Sequence, residues 1–456
     1  MYFVIDTKDD VIPLGEATRA WFAISLQTFG GPAGQIAVMQ HKLVDEKRWI
    51  GQQRFLHALN YCTLLPGPEA QQLAIYTGWL LNGTRGGMIA GTLFVLPGVV
   101  ALLALSAIYV GFGGTDVVSA LFAGVAPAVI AIVVQAVQRI SRRALDNAAL
   151  VTIAIGAFVA LTFFAVPFPL VVLGAGLIGW ALGRAFPNLA RTQSKADASG
   201  GPAPLISDAD LHHELPSKRR STAIVVLGLL LWFTPVAVFA MFVSSTDVFV
   251  DQGLFFSGAA VVTFGGAYAV LSYVAQQAVY VYGWLAPGEM VRGLALAETT
   301  PGPLIMVVQF VAFVGAYRNP GSLDPWFAAV LASLLVTWVT FVPCFLFVLL
   351  GAPFVERLRH NRNLTSALTG VTAAVVGVIA NLAVFFALHT LFDVNREVDA
   401  GPIHLDVPVL SSWDPVAFAI TGVALVVMFW RGWGPMRTLG LCALLGLGVF
   451  AVELVA

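Results

Sequence analysis

Four glycine- and proline-rich motifs interrupt apolar stretches of this sequence. They read Thr28-Phe29-Gly30-Gly31, Pro66-Gly67-Pro68, Thr263-Phe264-Gly265-Gly266 and Pro301-Gly302-Pro303. Proline removes an amide donor and stops the helical ladder, so a helix should end at each motif and another begin. We expect the new helices to start at 33–35, 69–72, 267–270 and 304–306. Their free N–H groups and positive dipole ends favour an anion, whereas the alternative is a plain kink without a ligand.

Two carboxylates lie beside these motifs within apolar stretches. Glu69 directly follows Pro68, and Glu298 precedes Pro301 by three residues. An ionisable side chain at membrane depth is costly unless it has a partner or a task. Glu69 is either a helix N-terminal carboxylate stabilised by the dipole or a proton carrier, because an arriving anion favours the neutral form. Glu298 presents the same choice without help from a dipole.

Basic and amide side chains near the motifs are further candidates for anion binding. Arg292 and His57 are 235 residues apart and could each draw an anion into a mouth, or else extend to the lipid headgroups. Gln35, Gln71 and Gln72 can donate hydrogen bonds to an oxyanion. A buried glutamine equally serves as a bond between helices.

The sequence excludes several other classes of function. The 24 basic and 25 acidic residues leave no basic excess for a nucleic-acid partner. A GxGxxG match at 174–179 lies inside an apolar segment, where small residues for helix packing explain it better than a dinucleotide site. Neither a nucleophile with its base nor a metal-ligand cluster is found at membrane depth, so we expect no enzyme, cofactor or metal site.

The elements that must position these residues are membrane helices. Apolar residues make up 58% of the 456 and charged residues only 11%, against about 25% charged in a soluble domain. This composition predicts an all-α, polytopic inner-membrane protein. Six apolar stretches precede a polar, cytoplasmic linker at 187–220, a single connecting transmembrane helix follows at 221–243, and six more stretches complete the chain.

An internal repeat relates the two groups of six stretches. The offset of 235 that superposes the paired motifs also superposes Trp49 on Trp284, and after an insertion near Arg318 an offset of 246 places Pro97 on Pro343. We therefore predict a first repeat over 1–186 and a second over 244–456.

The positions of Lys and Arg predict how the repeats lie in the membrane. If every stretch crosses, the basic cluster at 41–54 falls on the side poor in positive charge. If the four broken segments are re-entrant hairpins, nine helices cross and the cluster becomes cytoplasmic. Either scheme makes the repeats inverted, with the N-terminus in the cytoplasm and the acidic loop 393–414 in the periplasm. The first thirteen residues do not read as a signal peptide.

The motifs resemble those of the chromate ion transporter family. The resemblance rests on TFGGPAGQIAVMQ and LLPGPEAQQLAIYTGWLLNGTRGG in the first half and on a fainter copy in the second, which is typical of the long, two-domain bacterial type. It implies an inner-membrane protein that exports chromate and confers resistance. The family's motif residues fall here on Phe29, Gly30, Gly31, Pro32, Gly34, Gln35, Pro66, Gly67, Pro68, Glu69, Gln71, Gln72, Arg85, Phe264, Gly265, Gly266, Pro301, Gly302 and Pro303.

The resemblance leaves three points open. Ala267 and Leu304 stand where the first half has Pro32 and Glu69, so the two halves are chemically unequal. Sulfate is a tetrahedral dianion like chromate, and an oxyanion permease or exchanger is the alternative function. Export could be driven by the membrane potential, by anion exchange, or by protons carried on Glu69 or Glu298. Expected partners are the anion and the lipid bilayer, with a homodimer left open.

Overall fold

The computed structural model describes residues 11–29, 31–185, 204–206, 211–212, 217–242, 247–264, 266–355, 361–401 and 403–455. Within these ranges the chain forms sixteen α-helices and one two-stranded antiparallel hairpin. Seven of the described helices are long and apolar enough to cross a membrane. The prediction of an all-α, polytopic membrane protein is confirmed.

The described part of the chain before the linker contains seven helices. They are α1 (Leu14–Ser25), α2 (Gly31–Gln40), α3 (Gln52–Cys62), α4 (Glu69–Phe112), α5 (Asp116–Ala144), α6 (Ala148–Phe164) and α7 (Phe168–Ala185). A π-helical turn over His41–Glu46 extends α2. Helix α4 folds back on itself because Asn82 and Gly83 have non-helical dihedrals. Its two arms approach closely where Gly78 lies against Gly86.

The rest of the chain contributes nine described helices. They are α8 (Lys218–Phe242), α9 (Asp247–Val262), α10 (Ala267–Gln276), α11 (Glu289–Thr299), α12 (Val307–Arg318), α13 (Pro325–Gly351), α14 (Arg362–Leu391), α15 (Pro415–Phe429) and α16 (Pro435–Val455). Strands β1 (Asn395–Ala400) and β2 (Ile403–Pro408) pair between α14 and α15. Two expected helix starts are corrected. A 3-10 turn over Leu304–Met306 precedes α12, and α2 starts at Gly31, two residues before the position expected from its proline.

The broken segments of the first half turn back at their motifs. Lys47, just after α2, forms an ion pair of 3.2 Å with Glu16 at the start of α1. The Val11 amide, before α1, donates to the carbonyl of Leu81 at the end of the first arm of α4 at 3.0 Å. The outer ends of these helices therefore share one surface.

The described linker residues lie on that same surface. The Leu205 amide donates to the carbonyl of Arg48 at 2.7 Å, and the His212 amide donates to the carbonyl of Leu80 at 2.8 Å. We call this surface, marked by Glu16, Lys47 and Leu205, the linker face. A fully crossing first segment would instead have separated 41–54 from the linker.

The broken segments of the second half turn back in the same way. Arg318, at the end of α12, binds both carboxylate oxygens of Glu289, at the start of α11, at 2.7 and 2.8 Å. Tyr280, at the end of the π-helical turn Gln277–Val281 that extends α10, donates to Asp406 of β2 at 3.2 Å. We call the surface marked by Tyr280, Glu289 and the β-hairpin the hairpin face.

Helix α4 connects the two faces. Its second arm begins beside Gly83 at the linker face, and its Tyr109 hydroxyl donates to Glu289 at the hairpin face at 2.8 Å. The 26 residues from Thr84 to Tyr109 span about 39 Å of helix, which exceeds the hydrocarbon thickness of a bilayer. The faces therefore lie at opposite ends of the bundle.

Small residues allow the long helices to pack closely. Gly124 of α5 lies against Cys442 and Gly446 of α16, and Gly370 of α14 lies against Gly179 of α7. Gly179 closes the GxGxxG match, which is thus a packing surface as expected. The offset of 246 pairs Gly124 with Gly370, so the two contacts occupy corresponding places in the two halves.

Candidate anion site

The motifs of the two halves bind each other through reciprocal hydrogen bonds. The Gly67 amide donates to the carbonyl of Thr263 at 2.8 Å, and the Gly302 amide donates to the carbonyl of Thr28 at 3.0 Å. The two donors are 235 residues apart, and so are the two acceptors. The repeat offset found in the sequence therefore relates the two contacts.

Close backbone approach explains the glycines at the centre of each Pro-Gly-Pro motif. Gly67 and Gly302 have φ of +123° and +102°, a region that side chains disfavour. A Cβ at Gly67 would come within 2.8 Å of the Gln72 amide nitrogen and 2.9 Å of the Cys344 sulfur. Cys344, in the middle of α13, therefore packs on the Pro-Gly-Pro motif of the first half. Gly98, in the middle of α4, packs in the same way on the motif of the second half.

Three of the helical segments that start at the motifs have no side-chain cap from the described residues. The residues before α4, α10 and the 3-10 turn that leads into α12 are Pro68, Gly266 and Pro303. Elsewhere, Asn or Asp side chains cap α6, α13, α14 and α15, whereas α1, α3 and α11 also have no side-chain cap from the described residues. First-turn amides have no partner within their helix, so those at the motifs can bind a ligand.

The three glutamines proposed from the sequence divide into two kinds. Gln35 donates to the carbonyl of Gly302 at 2.5 Å, and Gln72 donates to the carbonyl of Pro66 at 2.6 Å. These amides hold the motifs in place. Gln71 is fully buried, and neither its nitrogen nor its oxygen has a hydrogen-bond partner in the described part of the chain. An unpaired buried amide is costly, so Gln71 is the glutamine with capacity for a ligand.

Glu298 and Tyr268 connect the motifs of the two halves. Glu298 is 2% exposed and accepts a 2.5 Å hydrogen bond from the Tyr268 hydroxyl on one oxygen. Its other oxygen is buried without a partner among the residues described. The same hydroxyl lies 4.0 Å from the place of a Cβ at Gly31, the start of α2. Tyr268 therefore brings the carboxylate next to the first half's helix start.

Two arginines that were not predicted from the sequence act electrostatically on the carboxylates of this site. Arg139 and Arg143 are exposed, one turn apart near the C-terminal end of α5. Arg139 interacts electrostatically with Glu298 and Tyr268, and Arg143 with Glu69. Helix α5 starts after the hairpin-face end of α4 and runs the other way. Its basic end therefore leads from the linker face to the motifs.

The signal for these residues was present in the sequence. Arg139, Arg142 and Arg143 form a basic cluster that reads as a membrane flank, and sequence spacing does not place it near motifs more than 60 residues away. Tyr268 replaces Ala33 of the first half. This difference between the two repeats is the feature of the sequence that could have identified Tyr268.

The other residues predicted from the sequence lie near the two faces, line the motifs, or fall outside the described part of the chain. Arg85 is exposed just beyond the bend of α4 at the linker face. Arg292 is half-buried near the hairpin face, where it donates to the Tyr109 hydroxyl at 3.4 Å. Gly30 and Gly265 lie outside the described residues. Phe29, Pro32, Gly34, Phe264 and Pro301 line the motifs as half-buried residues.

The bundle and its centre define a class of protein. Helices of membrane-spanning length surround broken helices that meet at a buried polar centre, which is the plan of multi-pass transporters built on discontinuous helices. The chain belongs to the chromate transporter family, whose model matches residues 15–180 and 250–447. Both halves are matched, as expected for the two-domain type.

Individual relatives carry the same description. The chain is 34% identical to the chromate transport protein of Pseudomonas aeruginosa over 362 residues, which cover 78% of this chain and 76% of the relative. It is 29% identical to the chromate transport protein of Cupriavidus metallidurans, with 80% of each chain covered. It is 26% identical to a probable chromate transport protein of Synechococcus elongatus, covering 91% of this chain and 96% of the relative. No solved structure matches the chain.

Proposed function

We propose that this protein is a secondary active transporter that exports chromate across the bacterial inner membrane and thereby confers chromate resistance. The unpaired amide of Gln71, buried beside helix starts of the reciprocally bonded motifs, is the observation that carries the proposal. It supplies a hydrogen-bond donor where the dipoles already favour negative charge. The relatives named for chromate transport supply the choice of anion.

Magnitudes require several groups to act on the anion together. Moving an ion into a dry interior costs tens of kcal/mol on Born grounds, and a dianion costs more. One helix terminus contributes about 0.3–2 kcal/mol. The substrate therefore keeps part of its water and is bound by several helix starts, Gln71 and the charges of Arg139 and Arg143.

We also propose that the repeats are inverted and that the linker face is cytoplasmic. In support, the outer ends of the first four broken helices lie at the linker face and those of the second four lie at the hairpin face. Nine crossings then consist of α5, α7, α8, α13, α14, α16, the second arm of α4, and the shorter helices α6 and α15. The basic end of α5 faces the compartment from which an exporter loads its anion.

Calorimetric titration of the purified protein with chromate tests the site. Gln71→Leu should weaken chromate binding about 10- to 100-fold, because a hydrogen bond to a charged group contributes about 1.5–3 kcal/mol. Gln252→Leu is the matched control, since Gln252 is an equally buried amide whose nitrogen already donates to the carbonyl of Ala312 in α12. Equal loss in both variants would contradict the assignment of Gln71.

Sulfate is the second candidate substrate, because no group described here distinguishes one tetrahedral dianion from the other. Competition in the same titration decides between them. Chromate binding that is unaffected by excess sulfate supports a chromate exporter. Displacement at equal concentration instead supports a general oxyanion permease or exchanger.

A further inference from the structure

A polar stripe runs along α10 from the candidate site to the hairpin face. Tyr268, Ser272, Gln276 and Tyr280 follow one another at intervals of four residues. Residues four apart lie on one face of a helix, about 5–6 Å from each other. The stripe starts at the hydroxyl that binds Glu298 and ends at the hydroxyl that binds Asp406.

A cavity of about 510 Å³ accompanies the outer part of the stripe. Ser272 and Gln276 line it from α10, Tyr280 lines it from the π-helical turn that extends α10, and Asn381 lines it from α14. The Asn381 amide donates to the Ser272 hydroxyl at 3.2 Å and its oxygen accepts from Thr162 at 2.9 Å. This volume is large enough for several water molecules beside groups that can bind them.

Acidic and titratable groups surround the outer end of the cavity. Glu397 and Asp406 face each other directly across the β-hairpin, an arrangement in which like charges repel. The Tyr280 hydroxyl lies 3.1 Å from His389 Nε2 and 3.2 Å from Asp406. A mouth of this composition attracts cations and disfavours an anion such as chromate.

The repeat shows that the two mouths differ in charge. The offset of 246 that pairs Gly124 with Gly370 also places Arg139 on Phe385 and Arg143 on His389. The mouth at the linker face therefore has two permanent cations where the mouth at the hairpin face has a phenyl ring and an imidazole. In the first half, Ala33 and Ala37 stand where α10 has Tyr268 and Ser272, so the stripe belongs to the second half.

We propose that the cavity and the stripe conduct protons between the hairpin face and Glu298, while the anion enters from the linker face. The proton acceptor is the Glu298 oxygen that is buried without a partner among the described residues. Among the described residues, the titratable and charged groups that interact with Glu298 are Tyr268 and Arg139. Ordered water in the cavity and the hydroxyls of the stripe pass the proton, and no bond other than those to hydrogen changes.

This route rests on the proposed anion transport and gives it a coupling mechanism. A proton on Glu298 cancels a negative charge beside the motifs and so favours the bound anion, and its release along the stripe to the hairpin face restores that charge and repels the anion. Proton and dianion then leave together with a net negative charge. Under the orientation proposed above, a membrane potential that is negative inside drives them outward.

Gln276→Leu is the decisive variant, because it replaces a polar side chain in the middle of the stripe by an apolar one and so interrupts the path. Gln277→Leu is its matched control, since Gln277 is the next residue and does not line the cavity. Both proteins are reconstituted in liposomes, where chromate movement and the pH of the entrapped volume are recorded separately. Gln276→Leu should lose chromate-linked proton movement and the response to a pH gradient, whereas it should still bind chromate. Gln277→Leu should behave as the unmodified protein.

Three results would overturn the route. Chromate movement without proton movement in the unmodified protein excludes coupling here, and proton movement retained in Gln276→Leu excludes this path. If Gln276→Leu blocks chromate movement driven by the membrane potential alone, the cavity is the exit for the anion instead. Failure of the unmodified protein to move chromate at all contradicts the proposed function rather than the route.

A labelling measurement tests the cavity without any transport. Ser272→Cys and Gln276→Cys should react with a membrane-impermeant cationic thiol reagent added at the hairpin face and not at the linker face. The three native cysteines are buried, so the unmodified protein gives the background. Absence of labelling from the hairpin face, or equal labelling from both faces, would contradict the path.

Discussion

At the scale of single residues, the motifs are defined by backbone geometry more than by side chains. Gly67 and Gly302 each combine a positive φ with an amide that bonds to the other half. Their Pro neighbours end one helix and allow the next to start uncapped. Gln71 has a buried side-chain amide that no described residue bonds, which is why the proposed function assigns it to the anion.

Gly67→Ala should destabilise the protein and weaken anion binding together. The residue has φ of +123°, and its new methyl group would contact Gln72 and Cys344. Backbone strain of this kind costs about 1–3 kcal/mol. Thermal unfolding in detergent, with and without chromate, measures both effects. Gly156→Ala is the control, because a Cβ there meets no described atom within 4 Å, and an equal loss of stability in the control would contradict the explanation.

At the scale of elements, the repeat stays a prediction, but the sequence predicted the breaks and the long helices. It did so because proline, glycine and apolar length act locally. It did not predict that the C-terminal end of α5 approaches the motifs, because that contact depends on how α5 packs between α11, α14 and α16. For the same reason Arg139, Arg143 and Tyr268 were missed.

Neutralising the basic end of α5 should slow the arrival of the anion. Arg139→Gln with Arg143→Gln should lower the association rate of chromate and reduce its dependence on salt, since exposed charges act mainly by steering. Arg142→Gln is the matched control, because this neighbouring arginine does not interact with either carboxylate among the described contacts. Stopped-flow mixing at two salt concentrations measures the rates. A double variant with an unchanged salt dependence would contradict the role of α5.

At the scale of the whole molecule, the outer ends of the broken helices lie at the linker face in the first half and at the hairpin face in the second. The charges at those faces differ. Arg139 and Arg143 lead in from the linker face, whereas Glu397 and Asp406 border the hairpin face. This difference in charge supports the proposal that the anion is loaded at the linker face.

Sided labelling checks this orientation. A cysteine at the exposed Gln53, beside the start of α3, should resist an impermeant thiol reagent added outside intact cells. A cysteine at Val398, which is 45% exposed on the β-hairpin, should react with it. Reaction of Gln53→Cys from outside would contradict the cytoplasmic assignment of the linker face and restore thirteen crossings.

Uptake of radiolabelled chromate into inverted membrane vesicles is the most direct test of chromate export, because the cytoplasmic face of such vesicles is outside. Vesicles containing this protein should accumulate chromate above vesicles without it. Gln71→Leu should lie near the level without protein, and Gln252→Leu should match the unmodified protein. Equal accumulation with and without the protein, or uptake confined to right-side-out vesicles, would contradict chromate export.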